Sequence, residues 1–221
     1  MRTLVITGAS PEMHPLLDAT LPSKQAWTSL HGYDLKVIRE WKPDALYGFG
    51  GRIGFLRVLS VFDSLREYDS CMWIDGDAFI TNLRFRIESF LSDAAIFSAS
   101  FDWTETSRFS SGNFVIRKGG RLQELMDEFI IYGHKYIDHP ECDQWALNEI
   151  AIDPKFSELF SILPRRFLNS VPTEVKKYWK TEKREIAEPW TPASFLAHLT
   201  CASHEDRLRV VQTYSEWKNS Y

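Results

Sequence analysis

Cysteine is scarce in this 221-residue chain, which has only three copies. Cys71, Cys142 and Cys201 lie far apart, their number is odd, and no pair has CxxC spacing. Such a set indicates neither a disulfide framework nor a zinc site. A reducing compartment is therefore expected.

Long apolar runs are also missing. No segment approaches the roughly 20 apolar residues that a membrane-spanning helix needs. The apolar run Leu4–Ile6, which follows Met1 and Arg2 directly, is too short for a signal peptide. We therefore expect no integral membrane segment and a soluble, cytoplasmic protein.

Neither sign of charge dominates, with 26 Lys and Arg against 30 Asp and Glu and a net charge of -4. This balance argues against a general nucleic-acid binder, so no nucleic-acid partner is expected. The chain also lacks internal repeats, low-complexity tracts and linkers, which predicts one globular domain over residues 1–221. The oligomeric state stays open.

Aromatic residues, by contrast, are abundant, at 14% of the chain with eight Trp. They fit a protein that stacks on flat rings or sugar faces, and they fit a Trp-rich core equally well. Composition does not separate these two interpretations.

Apolar runs of strand length alternate with segments of helical periodicity. The predicted strands are Thr3–Thr7, Leu35–Ile38, Cys71–Ile74, 94–99 and Phe114–Ile116. The predicted helices cover 16–30, 53–65, about 122–130 and about 138–150. Strands that alternate with helices indicate an α/β fold.

Two acids, Asp75 and Asp77, flank Gly76 directly after the apolar run Cys71–Ile74. In an extended chain, side chains at i and i+2 point the same way, so the two carboxylates repel unless a cation lies between them. Oxygen ligands at an open strand end suit Mg²⁺ or Mn²⁺. A polar turn between two strands has the same sequence, however, and spacing alone does not decide between them.

Two other classes of site begin with a similar pair of acids. An EF-hand loop needs an oxygen ligand and a Gly at its fifth and sixth positions, where Phe79 and Ile80 stand. A haloacid-dehalogenase-type phosphatase would use Asp75 as its nucleophile, but its pattern continues with Thr or Val where Phe79 stands. The EF-hand is excluded, and the phosphatase remains an alternative.

Short motifs follow one another in a fixed order between about residues 23 and 200, and each is weak alone. They are Ser23–Trp27, His31–Leu35, Arg52–Arg57, Trp73–Asn82, Ser111–Arg117, Asp143–Leu147, Leu163–Pro164, Leu168–Ser170 and Phe195–His198. In this order they resemble the GT-A-fold glycosyltransferases. The resemblance is strongest to the galactosyl- and xylosyltransferase family typified by the yeast α-1,2-galactosyltransferase and plant xyloglucan xylosyltransferases.

The resemblance implies a fold and assigns different functions to the two halves of the chain. It implies a single GT-A-type domain with a Rossmann-like, mixed, mostly parallel sheet flanked by helices. A nucleotide-sugar half would cover about residues 1–100 and an acceptor half about residues 101–221. The implied activity is metal-dependent transfer of a sugar from a UDP-linked or similar donor to a saccharide or glycoprotein glycan.

The resemblance also assigns a metal site. It gives Asp75 and Asp77 the task of holding Mn²⁺, or Mg²⁺, against the donor diphosphate, with His198 as third ligand. A cation there stabilises the charge that a departing nucleoside diphosphate gains. Without the resemblance, His198 would be interpreted as an ordinary core or surface histidine.

Further positions are implied to bind the donor. Thr7, Gly8 and Gly76 are expected near the nucleotide, because α/β sheets bind ligands at the carboxyl ends of their strands. The pair Gly112–Asn113 is implied to line the sugar pocket, where the Asn amide can both donate and accept; a simple β-turn is the alternative. Arg52 is implied to reach phosphate or sugar oxygens, and a solvated arginine at a helix start is equally compatible.

For catalysis, the resemblance points to Asp143 and Gln144, with Arg52. Asp143 and Gln144 would lie beside the anomeric carbon in a transfer that retains configuration, positioning the sugar and stabilising its positive charge. An acid that complements a helix dipole is the plainer interpretation of Asp143. Asp102 and Trp103 are expected on the acceptor side.

The chain departs from the family in three ways. No Gly follows His198 to form the turn that contacts phosphate, which leaves His204 or Arg207 as candidates for that contact. Gly76 replaces a typical Ser between the two acids. The membrane anchor and stem of eukaryotic relatives are missing, which indicates a soluble enzyme or an excised catalytic domain. The phosphatase and a non-catalytic nucleotide- or sugar-binding module stay as alternatives.

Overall fold

The computed structural model describes residues 1–92, 94–103, 108–173, 189–200 and 202–218. Its strands are β1 (Thr3–Gly8), β2 (Asp34–Ile38), β3 (Ser70–Asp75), β4 (Ala78–Ile80), β5 (Phe97–Phe101), β6 (Phe109–Arg117), β7 (Phe160–Leu163) and β8 (Leu196–His198). Its α-helices are α1 (His14–His31), α2 (Ile53–Ser64), α3 (Leu122–Lys135), α4 (Cys142–Ile152), α5 (Arg165–Leu168) and α6 (His204–Lys218). Short 3-10 helices cover Pro11–Met13, Ile87–Phe90 and Ser157–Leu159.

Six strands form the central sheet in the order β2-β1-β3-β6-β5-β7. Neighbours run parallel except on both sides of β6, which is antiparallel to β3 and to β5. The expected mixed, mostly parallel sheet is therefore confirmed. The central strands β1, β3 and β6 are buried along almost their whole length because helices cover both of their faces.

Side chains of the central strands alternate between two helical layers. Leu4 and Ile6 of β1 pack in one cluster with apolar side chains of α2, α3 and α4. Val5 packs in a second cluster with Trp27 of α1 and Phe195. The period of two along each strand thus gives each face its own core.

A small second sheet pairs β4 with β8 in antiparallel register, with Ala78 opposite His198. Because β4 begins directly after Asp77, this pairing brings His198 to the two acids. The backbone amides of Thr81 and Asn82 both donate to the Phe195 carbonyl and extend the attachment. The two-stranded sheet therefore joins parts of the chain that are more than a hundred residues apart in sequence.

The predicted elements hold with three shifts. The helix expected at about 138–150 begins later, at Cys142. The strand expected at 94–99 lies at Phe97–Phe101, and the strand expected at Phe114–Ile116 begins earlier, at Phe109. Gly112 and Asn113 therefore lie within β6, and the β-turn interpretation of this pair is wrong. The start of β6 is polar and was therefore not predicted as a strand. Its Ser and Asn side chains are nevertheless buried, because they are hydrogen-bonded within the protein.

Among the described residues, no helix combines the length and the apolar character that crossing a membrane requires.

Candidate functional site

The candidate site lies at the carboxyl ends of β1 and β3, where β6 enters the sheet from the opposite direction. Asp75 ends β3, and Asn113 lies opposite Ile74 in the register of β6. Helices α2 and α4 border this edge, and β8 ends there at His198. This edge is the usual ligand-binding edge of a parallel α/β sheet.

Asp75, Asp77 and His198 offer ligand atoms that all lie within 4.8 Å of one another. His198 Nε2 is 3.3 Å from Asp77 Oδ1 and 3.8 Å from Asp75 Oδ2. Neighbouring ligands of an octahedral ion with bonds of about 2.1 Å are about 3 Å apart. The three side chains therefore fit a shared divalent cation.

Hydrogen bonds hold both carboxylates, and one oxygen of each is directed towards His198. The Asp75 oxygen on that side, Oδ2, also accepts a hydrogen bond from Arg57 Nη1 at 3.2 Å. Asp75 Oδ1 accepts hydrogen bonds from Trp73 Nε1 at 2.7 Å and from Arg57 Nη1 at 2.9 Å. Asp77 Oδ2 accepts from Arg207 Nη1 of α6 at 2.9 Å. Both carboxylates are thus oriented before any ligand arrives.

Gly112 leaves room for this convergence. A Cβ atom on this residue would lie 2.6 Å from His198 Cε1 and 2.9 Å from Asp75 Oδ2. Both distances are too short for any side chain, so the start of β6 passes between two of the three ligands only as glycine. A side chain there would take the space next to His198 and Asp75.

Electrostatics couple the three groups. Burial raises the pKa of Asp75, with Arg57 opposing this effect. Burial acts on Asp77 in the same direction, but His198 and Arg207 outweigh it and lower the pKa of this acid. For His198, burial favours the neutral ring, yet the neighbouring carboxylates raise its pKa. The site therefore favours positive charge between the two acids.

Arg57 joins this cluster to Asp143. Its guanidinium donates to Asp75 and also to Asp143 Oδ2, from Nη2 at 2.7 Å and from Nε at 3.0 Å. Ser111 Oγ also donates to Asp143 Oδ2, at 3.0 Å, and the Ser111 amide donates to Gln144 Oε1 at 3.0 Å. The structure thus brings Asp143 and Gln144 into one network with Asp75.

Arg57 belongs to the motif Arg52–Arg57, but the family resemblance assigns it no role. One local signal was available: Arg57 stands between Leu56 and Val58 in a mostly apolar helix, and a buried arginine requires an acidic partner. The sequence does not reveal which acids bind Arg57, because one of them, Asp143, lies 86 residues further along the chain.

Lys24, also without an assigned role, lies buried beneath the turn of Asp75, Gly76 and Asp77. Its Nζ donates to the Asp75 carbonyl and to Thr20 Oγ1, both at 3.0 Å, and Thr20 Oγ1 donates to the Gly76 carbonyl at 2.7 Å. Burial lowers the pKa of Lys24 to about 7. Side chains of helix α1 therefore hold the backbone of the turn through hydrogen bonds to its carbonyl groups.

The remaining candidates for binding the nucleotide sugar, which lie at and just after the ends of β1 and β3, are closely packed. A Cβ atom on Gly8 would lie 2.8 Å from the Ile38 carbonyl oxygen, and one on Gly76 would lie 3.0 Å from the Gly8 carbonyl oxygen. The buried Thr7 hydroxyl has no hydrogen-bond partner among the described residues. Packing of the chain on itself already requires both glycines, and their contact with a nucleotide stays a prediction, as does that of Thr7.

Asn113 and Arg52 have partners within the protein. Asn113 accepts a hydrogen bond from the Asp75 amide at 3.1 Å and donates to the Leu168 carbonyl at 3.0 Å. Arg52 is exposed at the start of α2 and pairs with the exposed Asp138 at 2.7 Å. The structure therefore places Arg52 outside the network around Asp75, and the donor roles of both residues stay predictions.

The acceptor-side candidates border Gln144 and His198. Gln144 Nε2 lies 3.4 Å from Asp102 Oδ2, and Trp103 Nε1 donates to the Asn169 carbonyl at 3.0 Å. Asn169 in turn contacts His198 Nδ1 at 2.8 Å. In the segment after His198, where the chain lacks the family's Gly-containing turn, position 201 lies outside the described residues.

Solved glycosyltransferases share this architecture. A glycosyltransferase involved in the glycosylation of the major capsid of PBCV-1 superposes with a TM-score of 0.68 at 16% identity, over 96% of this chain and all of that one. The chain has the GT-A glycosyltransferase fold. The GT-A fold recurs in GlyE of Streptococcus pneumoniae TIGR4, with a TM-score of 0.60 at 14% identity over all of this chain but 64% of GlyE.

A third GT-A structure is the galactosyltransferase LgtC in complex with donor and acceptor sugar analogs. It superposes with a TM-score of 0.52 at 14% identity, over 99% of this chain and all of LgtC. No protein-family model matches the sequence, and no curated protein matches it either. Three-dimensional similarity therefore confirms the fold that the motif order implied.

Proposed function

We propose that this protein is a metal-dependent glycosyltransferase. It moves a sugar from a nucleotide-diphosphate sugar, expected to be UDP-linked, to a saccharide or to the glycan of a glycoprotein. One observation carries the proposal: Asp75, Asp77 and His198 converge at the ligand-binding edge of a GT-A sheet. The complex of LgtC with donor and acceptor sugar analogs supports donor and acceptor sites on such a fold.

The expected metal is Mn²⁺, with Mg²⁺ as the second choice. Two carboxylates suit either ion, whereas the imidazole of His198 suits a transition-metal ion better than Mg²⁺. When bound, the ion stabilises the charge that the departing diphosphate gains. Arg207 places a permanent positive charge beside Asp77, which makes it the candidate for the phosphate contact that a glycine turn after His198 would otherwise supply.

Asp143 is proposed to act through its charge and position. Its carboxylate is buried and already pairs with Arg57 and Ser111, an arrangement that weakens it as a nucleophile. A carboxylate held in this way stabilises positive charge at the anomeric carbon without reorganising. Gln144, which lies between the Ser111 amide and Asp102, is proposed to position the sugar. This arrangement supports transfer with retention.

Thermal melting tests donor and metal binding together. UDP with Mn²⁺ is expected to raise the melting temperature more than either ligand alone, because bound ligand stabilises the folded state by mass action. His198→Ala should lose this synergy. His14→Ala, at the start of α1, should keep it, since the ring of His14 contacts the Arg39 carbonyl, outside the site. The absence of stabilisation by any nucleoside diphosphate would count against the proposal.

Activity is tested by donor hydrolysis across a panel of nucleotide sugars with and without Mn²⁺. We expect Mn²⁺-dependent turnover that is lost in Asp77→Asn, because this carboxylate is one of the expected ligands. Hydrolysis of a generic phosphate ester that depends on Asp75 but survives His198→Ala would instead favour the phosphatase.

Stereochemistry is tested on an active donor and acceptor pair. With an α-linked donor, the product should carry an α linkage, which the coupling constant of the anomeric proton reports. A β-linked product would contradict the roles proposed for Asp143 and Gln144.

A further inference from the structure

Asn169 is a fully buried side chain that contacts a proposed metal ligand. It directly follows α5, and its Oδ1 lies 2.8 Å from His198 Nδ1. Its Nδ2 donates to the Phe101 carbonyl at 3.0 Å, and its own carbonyl accepts from Trp103 Nε1 at 3.0 Å. The side chain thus lies between the end of β5 and the end of β8.

These contacts fix the orientation of the Asn169 amide. The Phe101 carbonyl oxygen can only accept, so the amide nitrogen of Asn169 must face it. The amide oxygen then faces His198 Nδ1 and can only accept in turn. Nδ1 of His198 must therefore carry a proton.

A proton on Nδ1 makes Nε2 the coordinating atom when the imidazole is neutral. Nε2 is directed at Asp77 Oδ1 at 3.3 Å and at Asp75 Oδ2 at 3.8 Å. A lone pair facing two carboxylate oxygens is unfavourable unless a cation lies between them. The hydrogen bond to Asn169 therefore presents His198 to a metal in the form that binds it.

We propose that Asn169 is the positioning residue of the metal site. It holds His198 in the Nδ1-protonated tautomer and fixes the ring plane, and it connects this ligand to the Phe101 carbonyl and to the indole of Trp103 on the acceptor side. The inference deepens the proposed function and rests on its metal site. Partners of this kind behind a metal-bound histidine are worth about 10- to 100-fold in metal affinity.

The test is Mn²⁺ affinity of the purified protein without donor, measured by electron paramagnetic resonance. Asn169→Leu has a similar size but no acceptor for Nδ1, and its Mn²⁺ dissociation constant should rise by about 10- to 100-fold. Asn169→Asp keeps an acceptor and should bind Mn²⁺ far more tightly than the Leu variant. Equal affinity of the Leu variant and the unaltered protein would overturn the proposal.

Asn148 provides the matched control for lost stability. It is also a buried asparagine, and it binds the backbone amides of Arg108 and Phe109 and the Gln144 carbonyl. Asn148→Leu should lower the melting temperature as Asn169→Leu does, yet keep the Mn²⁺ affinity of the unaltered protein. An equal loss of affinity in both variants would show a general structural effect and overturn the proposal.

A second measurement needs no variant. In the unaltered protein, labelled with ¹⁵N-histidine and loaded with Cd²⁺ as probe, the metal should couple to Nε2 of His198 while Nδ1 keeps its proton. Coupling at Nδ1, or no coordination by this ring, overturns the proposal even if Asn169→Leu fails to fold.

The outcomes also separate this proposal from the proposed function. A protein that binds metal as described but turns over no nucleotide sugar would keep the role of Asn169 and contradict the transferase. If the protein transfers sugar in a Mn²⁺-dependent reaction but Asn169→Leu keeps the Mn²⁺ affinity of the unaltered protein, the transferase is kept and the role of Asn169 is contradicted.

Discussion

Each acidic side chain of the site contacts an arginine. Asp75 and Asp143 share Arg57, and Asp77 pairs with Arg207. Buried charges are tolerated only when such partners and their hydrogen bonds are in place. The cationic residues therefore set how the acids are oriented, and removing one should affect both stability and metal binding.

Arg57→Met tests this dependence at the level of stability. The substitution leaves two carboxylates without their shared cation, so we expect a loss of about 3 to 5 kcal/mol in the free energy of unfolding. Urea denaturation in the presence of a chelator measures it. Arg66→Met is the control, because Arg66 is exposed and its pair with Asp63 at 3.6 Å is expected to contribute less than about 1 kcal/mol. A similar loss in both variants would refute the prediction.

Lys24 gives a pH-dependent prediction. Burial lowers its pKa from 10.5 to about 7 in the folded protein. Between these values the unfolded chain binds a proton that the folded chain has released, so the stability that Lys24 contributes rises with pH and is lost as pH falls towards 7.

Lys24→Met should remove this dependence. The gain in unfolding free energy of the variant over the unaltered protein should be largest near pH 7 and should shrink by several kcal/mol towards pH 10. Chemical denaturation with chelator across this range checks it. Parallel pH profiles of the two proteins would show that the ammonium is not desolvated.

At the scale of elements, the site depends on two glycines at which neighbouring elements come close to its side chains. The start of β6 passes His198 at Gly112, and α2 passes α4 at Gly54, where a Cβ atom would lie 2.4 Å from Asp143 Oδ1. Both glycines let an element approach a carboxylate that Arg57 also binds. Their role is spatial, since neither has a backbone angle that demands glycine.

Gly112→Ala is therefore expected to weaken Mn²⁺ binding. The added methyl group would force His198 or Asp75 away from the shared position. Isothermal titration with Mn²⁺ measures the change, and Gly120→Ala is the control because a Cβ atom there meets nothing within 4 Å. Unchanged affinity in Gly112→Ala would mean that the ligands do not need their present positions.

Several elements and parts of the site were predictable from sequence because their signals are local. The strand before Asp75 is an uninterrupted apolar run, and the helix of Leu122–Lys135 has a clear apolar face. The polar start of β6 was not predicted as a strand, because hydrogen bonds to distant residues satisfy Ser111 and Asn113. Local polarity is a poor guide wherever tertiary partners take the place of water.

At the scale of the molecule, the metal ligands come from two distant parts of the chain. The pairing of β4 with β8 places His198 opposite Ala78, beside the turn that holds both acids. A bound ion would add a further connection across this small sheet. Separation of β4 from β8 would then require the coordination to break.

Hydrogen exchange should reveal this connection. We expect Mn²⁺ to slow exchange of backbone amides in Ala78–Ile80 and Leu196–His198, because ligand binding raises the free energy of local opening. Amides of Phe160–Leu163, at the edge of the main sheet beyond β5, are the internal reference. An equal effect in all three strands would indicate stabilisation of the whole fold and not of the β4–β8 pair.

The sequence by itself determined the alternation of strands and helices and the position of Asp75 and Asp77 at a strand end. These features follow from the order of apolar and polar residues over a few positions. Motif order, through the family resemblance, added His198. Only the tertiary structure decided that Arg57, Lys24 and Asn169 hold the proposed ligands in place. Their contacts with Asp75, Asp143 and His198 join residues that lie between 18 and 86 positions apart along the chain, and packing alone brings such groups within hydrogen-bonding distance.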